Sequence, residues 1–597
     1  MGVLIVTRPG QPANTYGRFT AELLKADGLA GLEIASLDEP QTLARLEGAG
    51  AGGSGGADES GIDAVIVTRM LANKAQTAAL AGYVRRGGRL IAIRPSRLLS
   101  TALGLTPLDT VLCPAYVRPA GGHPVVAGVP QEAIQTHVAA DKVEGSRLPP
   151  GGVELARLYG DARAPTSFPA LVAFPCGGGQ VVLFTYDVAH AVALIRQGDP
   201  RLVDGRALGA GHQYRPEDLL VGHADPLCWH LPQADIHGML LGNAVNHVAR
   251  APQPRLWYYP TPQTKSVLVL DSDDDWSAPE HFDALIDSVE RHGGHITIYL
   301  MLGPTKETIA TPKKVEAWRA RGHSFGIHHN PYDPAFEGEE QDELLEGVVR
   351  RDVETFRARY GEVPLTNRNH CLAWKGYVDL PRLYAELGVR MDLNVVSLRS
   401  SWLQYLNGSG RPMRFVDLDG TVLECFQQAT QAYDDASVKQ RLAADPSGEA
   451  GATRRLLEEK VGRSFSPLSM LSHPVSFFTY SSEYMNRVWD DAVALGVPIW
   501  SAFEWAAFTV ARDGARIGDG RWEGGSFRCR VEGASPQGAL TLMLPTGGRS
   551  VLGARVDGEP VGHTLQEAFG WTYALVPVAL DRATVTSRDV VLDLGPS

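Results

Sequence analysis

Cysteine is scarce in this chain. There are six in 597 residues (Cys113, Cys176, Cys228, Cys371, Cys425 and Cys529), and no two form a C-x-x-C pair. That excludes a disulfide framework, and the thiols read as reduced and mostly buried. Basic charge is also short: 56 Lys and Arg stand against 68 Asp and Glu, a net charge of −12. Nucleic acids and anionic membranes both need a positive surface, so neither is an expected partner. Long apolar runs are missing. Val267–Leu270 and Val493–Trp500 are strand-sized, well short of the ~18–20 residues that span a bilayer. The opening MGVLIVTRPG has no basic segment ahead of a long apolar stretch. It reads as a first strand and not a signal peptide, which gives the expectation of a cytoplasmic enzyme.

What is present is ordinary globular composition, 44% hydrophobic and 21% charged. At roughly 100–200 residues per domain the length predicts three to five folding units. Residues 1 to 250 alternate strand and helix patterns: Val3–Thr7, Leu32–Ala35, Ala64–Thr68, Leu90–Ile93 and Gln180–Thr185 as strands, Tyr16–Ala26 and Lys74–Arg86 as helices. That alternation implies a parallel sheet covered on both faces. Gly48–Gly61 (GAGAGGSGGADESG) can bury nothing and reads as a loop. Pro252, Pro254, Pro260 and Pro262 mark a boundary. Strands and helices alternate again from Ser266 to about Arg512. Beyond Gly514 short alternating segments with Gly and Pro turns predict a small antiparallel β-sandwich. The expected architecture is therefore a multidomain α/β chain with units at 1–250, 255–512 and 514–597. His212, His223, His230, His237 and His247 are spaced 11, 7, 7 and 10 apart, which matches no metal motif.

The order of elements in the first unit resembles the class I glutamine amidotransferase-like, flavodoxin-type fold. That family places a catalytic cysteine on an elbow after a glycine-rich turn. Here GGRLIAIRPSRLL carries Arg94-Pro95-Ser96 in that place, and Cys176 in PCGGGQ precedes a strand instead of following one. The resemblance implies a non-catalytic domain serving partner or homo-oligomer contacts.

Chemistry concentrates in SVLVLDSDDDWS, residues 266–277. Four apolar residues form a buried strand whose end carries Asp271, Asp273, Asp274 and Asp275. Like charges this close raise one another's pKa, and a nearby cation relieves the cost. Downstream, RGHSFGIHHNPYDP supplies His323, His328 and His329. Strand alternation puts His328 at the end of its strand, on the same rim as the aspartates. His323 reads as a cap on the preceding helix.

SVLVLDSDDDWS resembles the first motif of the polysaccharide deacetylases, T-F-D-D-G-P-S, and GHSFGIH their G-H-E-I-G-N-H. HITIYLMLG is similar to their A-T-F-F-V strand, NRNHCLAWKG to R-P-P-Y-G, and MLSHPVSFF to the closing L-x-H strand. All five occur in order in the central unit. The resemblance implies a deformed (β/α) barrel of about seven strands holding a divalent cation, usually zinc. Carried over by residue, it implies Asp273 as general base, Asp274 and His328 as metal ligands, Arg368 as the arginine orienting the base and His473 as general acid. The family's second metal histidine falls on Tyr332, so a third ligand has to come from elsewhere. His370 is the first candidate, with His329 and Asp333 behind it.

The implied reaction is metal-assisted removal of an N-acetyl group from an amino sugar or polysaccharide, with a backbone N–H near Asn369–Cys371 as oxyanion donor. Trp276, Tyr332 and Trp374 flank the motifs as candidate sugar-stacking rings. Two rival readings remain: a metal-free amidohydrolase acting on another C–N bond, and a degenerate domain serving as a carbohydrate-binding scaffold.

Overall fold

The structure is a computed structural model describing residues 2–49, 61–205, 213–249, 253–337, 341–396, 402–568 and 570–596. The glycine-rich stretch 50–60 and His212 lie outside the described residues.

In the N-terminal unit β1 (Val3–Thr7), β2 (Leu32–Ser36), β3 (Ala64–Val67) and β4 (Arg89–Ile93) are joined by helices such as Lys74–Arg85. Asn73 starts that helix with a capping box, accepting from the Gln76 N–H while the Gln76 side chain accepts from the Asn73 N–H. The spatial order is β2-β1-β3-β4, followed by β5 (Gly179–Phe184), and all of these pairs are parallel. Beyond β5 the nine-stranded sheet turns antiparallel, a departure from the all-parallel expectation. The reason is a tight hairpin between Pro165–Cys176 and β5. Its Gly177 sits at φ 61, where a Cβ would meet the Arg85 backbone at 2.7 Å.

The central unit is a curved sheet of parallel strands, a half barrel. β6 (Leu268–Asp273), β7 (Thr297–Leu300), β8 (Ser324–Ile327), β9 (Thr366–Asn367) and β10 (Met391–Asp392) follow one another in space as in sequence. β11 (Leu468–Ser472) and Ile499–Ser501 flank the other side of β6. The helix Pro279–Arg291 buries Phe282, Leu285, Ile286 and Val289, a 3–4 spacing that lays one apolar stripe on the strands. Because these strands run one way, their carboxyl ends form one rim, where α/β folds place their chemistry.

The C-terminal segment forms two antiparallel sheets. One contains Arg516–Glu523, Ser526–Gly533, Thr586–Leu594, Val551–Val556 and Glu559–Val561. The other contains Ala539–Pro545, Trp571–Ala579 and Thr564–Ala568, with Arg255–Leu256 added at its edge. The proline-flanked stretch read from sequence as a boundary thus supplies a strand to a sheet made mostly of residues nearly three hundred positions later. Around it Asp27 accepts from Tyr258 Oη at 2.9 Å and pairs with Arg255 and, at 3.3 Å, Arg411, all buried. Buried charges persist only when paired, so this cluster locks the N-terminal unit, the connecting strand and the half barrel together. Among the described residues no helix is long and apolar enough to cross a membrane.

Candidate active site

Period-two alternation along β6 sends Asp271 and Asp273 to the face that looks onto Arg368 and the histidines. Past the strand end the chain turns through two left-handed residues, Asp275 (φ 42) and Trp276 (φ 58). The turn returns Asp275 to the face shared by Asp271 and Asp273. Asp274 points the other way: its Oδ1 accepts from the Ser277 N–H at 3.3 Å, and Oδ2 lies 3.5 Å from the Met301 N–H. Burial pushes the Asp274 carboxyl up to about 6.

Asp275 Oδ1, His328 Nε2 and His370 Nδ1 form a triangle with sides of 3.3, 3.4 and 3.2 Å. Ligands ~2.0–2.1 Å from a tetrahedral zinc ion are spaced about 3.3 Å apart, so this donor set fits such an ion. Two further observations support the fit. Asp275 Oδ1 is buried and meets hydrogen-bond geometry with neither imidazole. His328 Nδ1 lies 2.9 Å from the Arg368 carbonyl, an arrangement that fixes the tautomer and turns the Nε2 lone pair toward the triangle. Burial would raise the Asp275 carboxyl, yet the imidazoles beside it hold it well below the usual range. Burial would likewise lower His370, but Asp275 and Cys371 together hold it up at about 10. Among the described residues no other group of three His, Cys, Asp or Glu donors converges this closely.

Next to the triangle, Asp273 is 5% exposed and its Oδ1 has no hydrogen-bond partner. It lies 3.6 Å from Arg368 Nε and 3.6 Å from His328 Nδ1. Arg368 is fully buried and commits Nη2 to Asp271 Oδ2 at 2.6 Å and to Thr430 Oγ1 at 2.9 Å, and Nη1 to the Leu393 carbonyl. Burial pushes the Asp271 carboxyl up to about 6 against the pull of Arg368.

His473, at the end of β11, places Nε2 3.6 Å from Asp275 Oδ2 and 3.9 Å from Asp273 Oδ2. Its Nδ1 is 2.8 Å from Asp434 Oδ1, and Asp434 Oδ2 accepts from Ser481 Oγ at 2.6 Å. Burial is the largest single influence and disfavours a charged His473, but the Asp434 hydrogen bond together with the charges of Asp275, Asp434 and Asp273 outweighs it, and the pKa is held up at about 10.

Of the residues singled out from sequence, Asp273, His328, Arg368, His370 and His473 converge on this rim, whereas Asp274 faces away from the imidazoles. His329 leaves on the opposite face, its Nδ1 3.0 Å from Asp352 Oδ2. Asp333 braces a loop, accepting from Thr305 Oγ1 and the N–H groups of Thr305, Lys306 and Ala335. His323 receives the Ile296 N–H and lies 3.2 Å from Glu290, away from the rim. Trp374 is core, 3% exposed beneath Phe415. Trp276 is 45% exposed, its ring edge-on to His370 at 5.2 Å, and Tyr332 lies 6.1 Å from the same imidazole. Sequence reasoning missed Asp434 altogether. Its signal is faint, a carboxylate directly after the two-residue strand Ala432–Tyr433.

No protein-family model matches the chain, and no curated protein matches it. Among solved structures it is similar to the carbohydrate deacetylase Agd3, at 10% identity over 100% of this chain and 98% of that one, TM-score 0.39. It is also similar to a protein from Mycobacterium smegmatis described as a polysaccharide deacetylase, at 12% identity over 42% of this chain and 92% of that one, TM-score 0.30. A third, from Bordetella bronchiseptica and described as a polysaccharide deacetylase of O-antigen biosynthesis, is 17% identical over 39% of this chain and 83% of that one, TM-score 0.26. At these scores the likenesses carry no weight in the functional argument.

Proposed function

We propose that the chain is a metal-dependent hydrolase that removes N-acetyl groups from an amino sugar or polysaccharide. The observation that carries this reading is the donor triangle of Asp275, His328 and His370 beside an unbonded, buried carboxylate and an aspartate-held histidine. Asp275 replaces Asp274 in the ligand set that the sequence suggested, because the left-handed turn aims it at the imidazoles.

A divalent cation held by the three donors, zinc being the best fit to their type and spacing, would supply electrophilic activation of the acetamide carbonyl and a more acidic water. Asp273 serves as the base that receives the proton of the attacking water, and its free Oδ1 is the acceptor for it. Arg368, anchored by Asp271 and Leu393, keeps a positive charge beside that carboxylate. His473, oriented by Asp434, is the acid that protonates the departing amine, since an amide nitrogen leaves poorly without a proton. Of the three backbone N–H groups considered as oxyanion donors, Asn369's is taken by Asn394 Oδ1 and His370's by the His329 carbonyl. That leaves Cys371, held at φ 53, as the donor for the developing oxyanion.

Acetate release from N-acetylated oligosaccharides is the test. It should be abolished by a chelator and restored by zinc, cobalt or nickel. Turnover indifferent to chelation would favour a metal-free amidohydrolase, and no acetate release at all would favour a binding scaffold.

A further inference from the structure

The N-terminal sheet has a feature that the proposed chemistry leaves unused. Each of three adjacent parallel strands delivers an arginine at its carboxyl end: Arg8 after β1, Arg69 after β3 and Arg94 after β4. Between β1 and β3 the chain changes direction, having placed β2 on one side of β1 and β3 on the other. Open α/β sheets form their ligand crevices outside the carboxyl ends of strands at such a switch.

The outer two arginines are neutralised. Arg8 pairs with Asp38 through Nε and Nη2 at 3.0 and 2.9 Å, and its Nη1 reaches the Leu71 carbonyl. Arg94 binds Asp141 Oδ1 through Nε and Nη2 at 3.1 and 2.9 Å. The central guanidinium, Arg69, is half-buried and has no hydrogen bond or ion pair among the described residues. Of the carboxylates in its vicinity, Asp141 is bonded to Arg94, and Asp187, which caps a helix through the His190 N–H, attracts Arg69 without a hydrogen bond to it. Burial first and then the charge of Arg94 press the Arg69 pKa down, against the opposing pull of Asp187 and Asp141.

The backbone around Arg69 is built rather than loose. Asn14 Nδ2 donates to Thr68 Oγ1 at 2.7 Å and to the Arg69 carbonyl at 2.8 Å, while its Oδ1 accepts the Arg8 N–H at 2.6 Å. One buried asparagine thus ties the loop after β1 to the loop after β3. Arg94 occupies the left-handed region at φ 37, a strain that tends to be retained where a side chain must be aimed.

We infer that the surface at these carboxyl ends is a binding site for a small oxyanion ligand, a carboxylate or a phosphate monoester, with Arg69 as its principal anchor and Nη1 of Arg94 as a second donor. A planar guanidinium fork suits both anions and gives little to an uncharged sugar. The site shares no residue with the half-barrel rim, so its test is independent of the deacetylase reading.

Calorimetric titration of the full chain with glucose 1-phosphate, D-glucuronate and uncharged glucose decides it. The expected result is binding of at least one anion and none of glucose, with affinity reduced at least about tenfold in Arg69→Gln. Which anion binds identifies the phosphate or carboxylate source. An unchanged melting temperature shows that the variant is folded. Should it melt lower, Arg69→Lys is substituted, which keeps the charge but loses the fork and should also bind more weakly. Failure of both anions to bind the unaltered protein, or equal binding by folded Arg69 variants, would overturn the inference.

Discussion

Asp274→Asn and Asp275→Asn separate two registers of the same acidic run. In the donor triangle Asp275 is the single carboxylate, facing two imidazole nitrogens at 3.3 and 3.4 Å. An asparagine there keeps the shape but removes the charge, and an amide is a weak ligand for a divalent cation. Loss of an outer-sphere partner alone costs ~10–100-fold in metal affinity. Loss of an inner carboxylate should exceed that, at least about 3 kcal/mol. Asp274 should behave oppositely. Its carboxyl is pushed from 3.8 to about 6 by burial, so holding it charged at neutral pH costs roughly 3 kcal/mol. A neutral amide relieves that cost and forfeits contacts to the Ser277 and Met301 N–H groups worth ~1–3 kcal/mol together. Stability should therefore change little and the metal should stay. The measurement is metal stoichiometry by elemental analysis, with thermal melting, on Asn variants at 271, 273, 274 and 275. Asp273→Asn should retain metal and lose turnover. A metal-depleted Asp274 variant beside a metal-replete Asp275 variant would refute the reasoning.

His473→Gln should lower turnover by ~10²–10⁴-fold with metal retained, and Asp434→Asn should lower it by a smaller factor, because it acts through His473. A full rate in the His473 variant would remove it from the acid role. In the N-terminal unit burial holds His237 neutral with a pKa near 4 and His137 near 3, both below the ordinary 6.5. Because the unfolded chain takes up these protons first, stability should fall by about 1.4 kcal/mol per pH unit per histidine from pH 6.5 down toward 4. Denaturant unfolding at several pH values checks this, and His237→Gln should flatten the slope. An unchanged slope would show that His237 does not titrate in this way.

How much could be read in advance differs by element. The strands of the parallel sheets were legible because they are short continuous apolar runs, Val3–Thr7 and Val267–Leu270 among them, bounded by polar turns. His328 was legible from alternation alone, since its strand is regular up to that residue. Asp275 was not, because alternation stops at Asp273 and the two left-handed residues that follow are neither glycine nor asparagine. Asp434 was illegible for another reason. It lies 39 residues from His473, and only the pairing of Ala432–Tyr433 with β11 brings them together. The strand Arg255–Leu256 is two residues long, too short for any period, and its partner lies at the far end of the chain.

Pairing of charges across the rim gives the strongest physical support for the roles proposed. Four carboxylates meet there, and three have a bonded or closely facing partner. Asp271 is bonded to Arg368, Asp434 to His473, and Asp275 faces the His328 and His370 imidazoles. Asp273 is the remaining one. Its basic neighbours, Arg368 Nε, His328 Nδ1 and His473 Nε2, stand at 3.6 to 3.9 Å, too far to occupy its lone pairs. Asp271 makes this possible, because by taking Arg368 Nη2 it draws the guanidinium off Asp273. A base needs such an open acceptor direction. Removing Asp271 and letting Arg368 close on Asp273 would trade a free base for a salt-bridged one.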